Sequence, residues 1–152
     1  MAAAGSLWLV YAVSAAVLWG LNYTLTEQLM KNISVAGVIV TCAVGSLLFG
    51  LALGFVQKTH GRDWTALKQA GSETKLALAC IAVYVAANVF ILFSVKAKNA
   101  TMAGLIEITY PLFTALFAWV LFRETQIGLG TALGGTLIVA GVACIYFLDK
   151  TV

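Results

Sequence analysis

The chain has 152 residues, of which 62% are hydrophobic and 10% charged, against about 25% charged in an ordinary soluble domain. Its net charge of +3 is scattered, with no basic–aromatic stripe to hold nucleic acid. This composition excludes a water-soluble fold and points to an all-α integral membrane protein, since a bilayer span needs about 20 predominantly apolar residues and several such runs are present.

The first run follows "MAAAGS", which has no Lys or Arg to form the positive region of a cleavable signal. "SAA" at Ser14 to Ala16 mimics a cleavage site, but "VLWGLNYTLT" stays apolar beyond it, so the run reads as a retained span over Leu7–Thr26. Helical spacing places Trp19, Asn22, Tyr23 and Thr26 on one face of it. The second run covers Ile33–Val56 and contains the small-xxx-small pattern "GLALG".

A charged connection follows, "QKTHGRDWTALKQAGSETK" (Gln57 to Lys75). It reads as a solvated loop, with a short interfacial helix as the alternative, because Trp64, Leu67 and Ala70 or Gly71 fall at helical spacing. His60 has no ligand-type neighbours at metal spacing and reads as a polar surface residue.

The third run, Leu76–Val95, sets Tyr84 and Asn88 one turn apart. An asparagine in a span can simply join helices by hydrogen bonding. Alternatively, Tyr84 and Asn88 join Trp19, Asn22 and Tyr23 around a polar or cationic guest, the aromatic faces meeting a cation.

The fourth run, Ala100–Phe122, contains Glu107, the only ionisable Asp, Glu, Lys, Arg or His within the body of any span. A charge at mid-membrane costs at least ~2.5–3.5 kcal/mol on insertion scales, so it defaults to a functional hypothesis. Drawn as one continuous helix, the segment puts Glu107 on a stripe with Gly104, Tyr110, Pro111 and Thr114, and turns Leu105, Leu112 and Phe113 away. Pro111, the single proline, lacks the amide that would bond the Glu107 carbonyl. The competing reading is a structural kink with Glu107 bonded to a neighbouring helix.

The fifth run, Ile127–Leu148, carries "GTALG" and the glycines Gly130, Gly134, Gly135 and Gly141, a surface suited to close helix contact between copies or within the chain. Cys42, Cys80 and Cys144 lie in apolar runs without CxxC spacing and read as buried packing residues. The runs are continuously apolar, which favours helices over a barrel. Residues 1–152 thus read as a single five-helix module.

An odd number of spans puts the termini on opposite sides. Lys58, Arg62, Lys68, Lys75 and Arg123 fall on the amino-terminal side; Lys31, Lys96, Lys98 and Lys150 fall on the other. Such a near-balance barely specifies an orientation. The chain is either weakly biased to one orientation or inserts both ways (dual topology) and pairs antiparallel with itself.

"WGLNYT" in the first span, "ATMAGLIEITYPLFTALFAWVLFRE" (Ala100 to Glu124) and "LGGTLIVAGV" (Leu133 to Val142) resemble the EamA-type module of the drug/metabolite transporter superfamily. "GGTLIVAGV" is also similar to the last-helix dimerisation motif of the small multidrug resistance family, departing from it at Gly135. The resemblance implies one half of an inverted-repeat transporter fold, and hence a homodimer, in a bacterial or archaeal plasma membrane. A membrane glutamate of the small multidrug resistance proteins lies in their first span. A proton-coupling role for Glu107 in the fourth therefore rests on the physical argument alone.

The leading expectation is a proton-coupled secondary transporter that exports a small polar or cationic metabolite or drug. Its proton or substrate site would comprise Glu107, Tyr110, Pro111, Asn22, Trp19, Tyr23, Tyr84 and Asn88. A flippase for a polar-headed lipid and a non-transporting subunit that stabilises a partner are the alternatives. No nucleophile–base pair, phosphate loop or zinc motif suggests an enzyme, and no cofactor or metal is expected.

Overall fold

The computed structural model describes residues 4–69, 71–125 and 127–148, and every regular element among them is an α-helix. The elements are α1 (Ala4–Leu29), α2 (Val35–Gln57), α3 (His60–Lys68), α4 (Ser72–Ala97), α5 (Ala100–Glu107), α6 (Tyr110–Phe122) and α7 (Leu129–Leu148). Five segments are long and apolar enough to cross a membrane: Leu7–Leu29, Val35–Gln57, Ser72–Ala97, Ala100–Phe122 and Leu129–Leu148. These match the five apolar runs to within a few residues. Ala70 and Lys150, used above for the loop pattern and the charge count, lie outside the described residues.

Local chemistry sets several of the helix ends. Ser34 caps α2 by accepting the Gly37 amide at 3.1 Å, and Asn99 caps α5 by accepting the Met102 amide at 2.8 Å. At the other ends, Lys58 closes α2 and Arg123 closes α6 in the left-handed region, with φ of 55° and 59°. Each donates its amide to carbonyls of the preceding turn. Glycine usually fills such a position; a cation there complements the negative end of the helix dipole instead.

The chain divides into two compact units. One holds the chain up to Thr24 together with the residues from Ala97 onward, and the other holds Leu25–Lys96. In the second unit, Val35, Val38 and Leu92 form the core, flanked by Met30, Ile39 and Ile91. In the first, the buried positions are small: Ala100, Ala103, Ala115 and Gly135. Leu112 of α6 lies over Gly135 of α7, so close that a Cβ there would stand 2.5 Å from its Cδ2. Small residues let membrane helices approach where apolar burial offers no advantage over lipid.

Three expectations change. The connection between α2 and α4 is not simply a loop, because it contains the nine-residue α3. His60 begins that helix half-buried, its Nε2 2.9 Å from the Leu51 carbonyl oxygen and its ring edge-on to Phe55. It is thus a packing residue that fastens α3 to α2. Cys42, Cys80 and Cys144 are exposed, on helix surfaces that the apolar composition assigns to lipid.

Candidate functional site

The fourth span is two helices. α5 stops at Glu107, Ile108 and Thr109 form a turn, and α6 resumes at Tyr110. The turn is closed by the Ile108 amide on the Gly104 carbonyl at 3.1 Å and the Thr109 amide on the Ile106 carbonyl at 3.2 Å. Thr109 Oγ1 also donates to the Ile106 carbonyl at 2.9 Å. Pro111 stands in the first turn of α6, where a missing amide goes unmissed. Ile108 and Thr109 both keep right-handed helical dihedrals, so α5 and α6 follow one another through a tightened turn within one span.

Glu107 ends α5 about 10 Å of helical rise into the span. Its carboxylate accepts a hydrogen bond from the Tyr23 hydroxyl of α1. The Tyr23 ring lies against Gly104, one turn before Glu107; a Cβ on Gly104 would stand 3.3 Å from the ring. On its other side Tyr23 tilts against Trp19, with centroids 5.7 Å apart and planes at 45°. Ala103 of the same helix is 3% exposed. Both Tyr23 and Glu107 remain half-buried, so the pair is reachable.

Of the predicted site residues, Trp19, Tyr23 and Glu107 are brought together. Asn22, Tyr110 and Pro111 are exposed, as Trp19 is; Tyr110 is close enough to Tyr23 to act on it electrostatically, and its carbonyl accepts from Thr114 Oγ1 at 3.1 Å. Tyr84 and Asn88 belong to the other unit, where the Asn88 side-chain amide donates to the Tyr84 carbonyl on the same helix at 2.9 Å. Sequence reasoning placed Gly104 on the Glu107 face but missed its partner, since nothing local names the ring that lies on it.

On α7, Gly135 is covered by the chain's own Leu112, while Gly130, Gly134 and Gly141 have open space where a Cβ would be. Among the described residues no group of His, Cys, Asp and Glu is arranged to hold a metal.

Chemically, the pair is an acid with one replaceable partner. A carboxylate held by a phenol can exchange that bond for a proton or a guest cation, and Tyr23 and Trp19 offer aromatic surface to such a guest. The helix ladder is tightened after Glu107, and Pro111 brings no amide to the Glu107 carbonyl, an irregularity that a span tolerates where protein or a wet cavity satisfies it.

The sequence model of the EamA-like transporter family matches residues 6–147, nearly the whole chain. No curated protein and no solved structure matches.

Proposed function

The chain belongs to the EamA-like transporter family, and from that premise we infer that it is a proton-coupled secondary transporter that exports a small polar or cationic molecule. The observation that carries this reading is the Glu107 carboxylate itself, half-buried and reachable inside the fourth span; its bond to Tyr23 is the one a structural role would also make. A carboxylate in a span is costly unless used. Here it stands at a helix end with a partner that can let go.

In this reading Glu107 binds either a proton or the substrate, and each displaces the other. Tyr23 occupies the carboxylate between loads. Trp19 and Tyr23 receive the apolar and cationic parts of the guest, and Asn22 and Tyr110 are further contacts. Inverted-repeat carriers form their site between two modules. One five-helix module supplies half of such a site, and a second copy, inserted antiparallel, supplies the rest. The near-even division of Lys and Arg favours this arrangement.

The test is Glu107→Gln in proteoliposomes. Glutamine keeps an acceptor for the Tyr23 hydroxyl but cannot carry a proton. Flux driven by a pH gradient should fall to the background of empty liposomes, while the protein remains folded and oligomeric by size-exclusion chromatography. Undiminished coupled flux would overturn the proton role.

A further inference from the structure

The transport reading makes no use of α3. This helix follows the second span after two residues, Lys58 and Thr59, and precedes the third after a short link. His60 fastens its first turn to the Leu51 carbonyl, to Phe55 and to the flat surface at Gly54. Leu51 lies six residues before the end of α2, about 9 Å along the helix. The start of α3 is therefore held beside the last turns of a span. Beyond it, Trp64 and Leu67 are 61% and 41% exposed. With His60, Gly61 and Asp63 they line a shallow, open groove along the surface of this one helix.

The charges around this apolar pair have one dominant sign. Between residues 57 and 75 stand Lys58, Arg62, Lys68 and Lys75 against Asp63 and Glu73, four cations to two carboxylates, a net +2. Asp63, on the groove wall, is paired with Arg62 at 3.4 Å. The Lys68 ammonium stands 5.1 Å from the Trp64 ring centroid, which puts a cation next to the apolar wedge. Tryptophan beside lysine at the end of a span is the pattern of a headgroup anchor.

We propose that α3 docks into the headgroup layer of an anionic phospholipid surface, with Trp64 and Leu67 entering the acyl boundary and Lys58, Arg62 and Lys68 meeting lipid phosphates. The exposed face is thereby covered by lipid, and the charge excess selects the lipid's sign.

The test uses the full chain with Cys42, Cys80 and Cys144 replaced by alanine and a nitroxide on Leu67→Cys. It is reconstituted in nanodiscs of phosphatidylcholine with increasing phosphatidylglycerol. Relative accessibility to oxygen and to a nickel chelate reads the depth of the label. The expected result is a move from the aqueous to the acyl boundary as phosphatidylglycerol rises. Lys68→Gln should raise the fraction needed for half the shift by up to roughly five-fold. A label equally water-exposed at every composition would overturn the proposal, as would a depth indifferent to phosphatidylglycerol. Dipolar broadening between labels, which would show that a second copy covers α3, would overturn it too.

Discussion

At the residue scale the molecule turns on Tyr23 and Glu107. Interhelical hydrogen bonds in membrane proteins contribute on average about 0.6 kcal/mol and at most about 1.7. Tyr23→Phe should therefore lower unfolding stability by about 1 kcal/mol, measured by steric trapping in bicelles, while coupling persists because the carboxylate remains. If Tyr23→Phe removed coupling as fully as Glu107→Gln, the hydroxyl would be part of the proton path and not merely its resting partner. Gly104 supplies a second handle. A methyl there meets the Tyr23 ring at 3.3 Å, so Gly104→Ala asks for a shift of a few tenths of an ångström. Gly104→Val overpacks the contact, at a cost of about 1–3 kcal/mol. Flux should fall in the order wild type, alanine, valine; equal flux in all three would separate the ring's position from transport. Glu107 was legible in the sequence because a lone carboxylate among apolar residues is conspicuous, and Tyr23 because it shares a face with Trp19. Their bond was not legible. It joins residues 84 positions apart, and the register between two helices leaves no trace in the periodicity of either.

At the element scale the five spans could be read directly, since length and hydropathy decide them. The break in the fourth was harder to place. Proline marked the Glu107 carbonyl as lacking its donor, and the structure tightens the helix at Ile108 and Thr109 and sets Pro111 in the first turn of the next one. A proline disturbs the turn before it, so the disturbance falls on the residues after Glu107. Pro111→Ala restores an amide that can reach the Glu107 carbonyl, a bond contributing about 0.5–1.5 kcal/mol. The expected outcome is slower hydrogen exchange through residues 107–112, higher stability, and a lower transport rate because Glu107 is held in a continuous helix. Unchanged exchange and unchanged flux would mean that the Ile108–Thr109 turn persists without the proline. The connection after α2 was ambiguous for a different reason. Nine helical residues with two large apolar side chains, Trp64 and Leu67, are too few for periodicity to outweigh their charges, and the packing of His60 on α2 joins residues whose contact no periodicity reveals.

At the scale of the whole molecule the spans bury little. Between 6% and 11% of each span's most apolar window is buried within the chain. Lipid satisfies apolar surface, so exposure alone does not call for a second copy; the glycines of α7 give a sharper criterion. Gly135 is already occupied by Leu112, whereas Gly134, its sequence neighbour, faces open space with Gly130 and Gly141. The two positions therefore answer different questions. Gly135→Leu must displace Leu112 and should destabilise the isolated chain by about 1–3 kcal/mol, the cost of overpacking. At Gly134 an added Cβ has open space among the described residues, so Gly134→Leu should leave the chain's unfolding unchanged. If the open glycines form the contact between copies, Gly134→Leu should nevertheless lower the dimer fraction, read by single-molecule photobleaching across a lipid dilution series. A dimer fraction insensitive to Gly134→Leu would move the contact to another face. The orientation of the copies is read separately, from Thr65→Cys on the cysteine-free background in intact cells. Labelling by an impermeant maleimide from outside, together with a remaining fraction labelled only after the membrane is opened, establishes both orientations in one population. A single accessible fraction would assign the chain one orientation, and an antiparallel pair of identical copies would then be excluded.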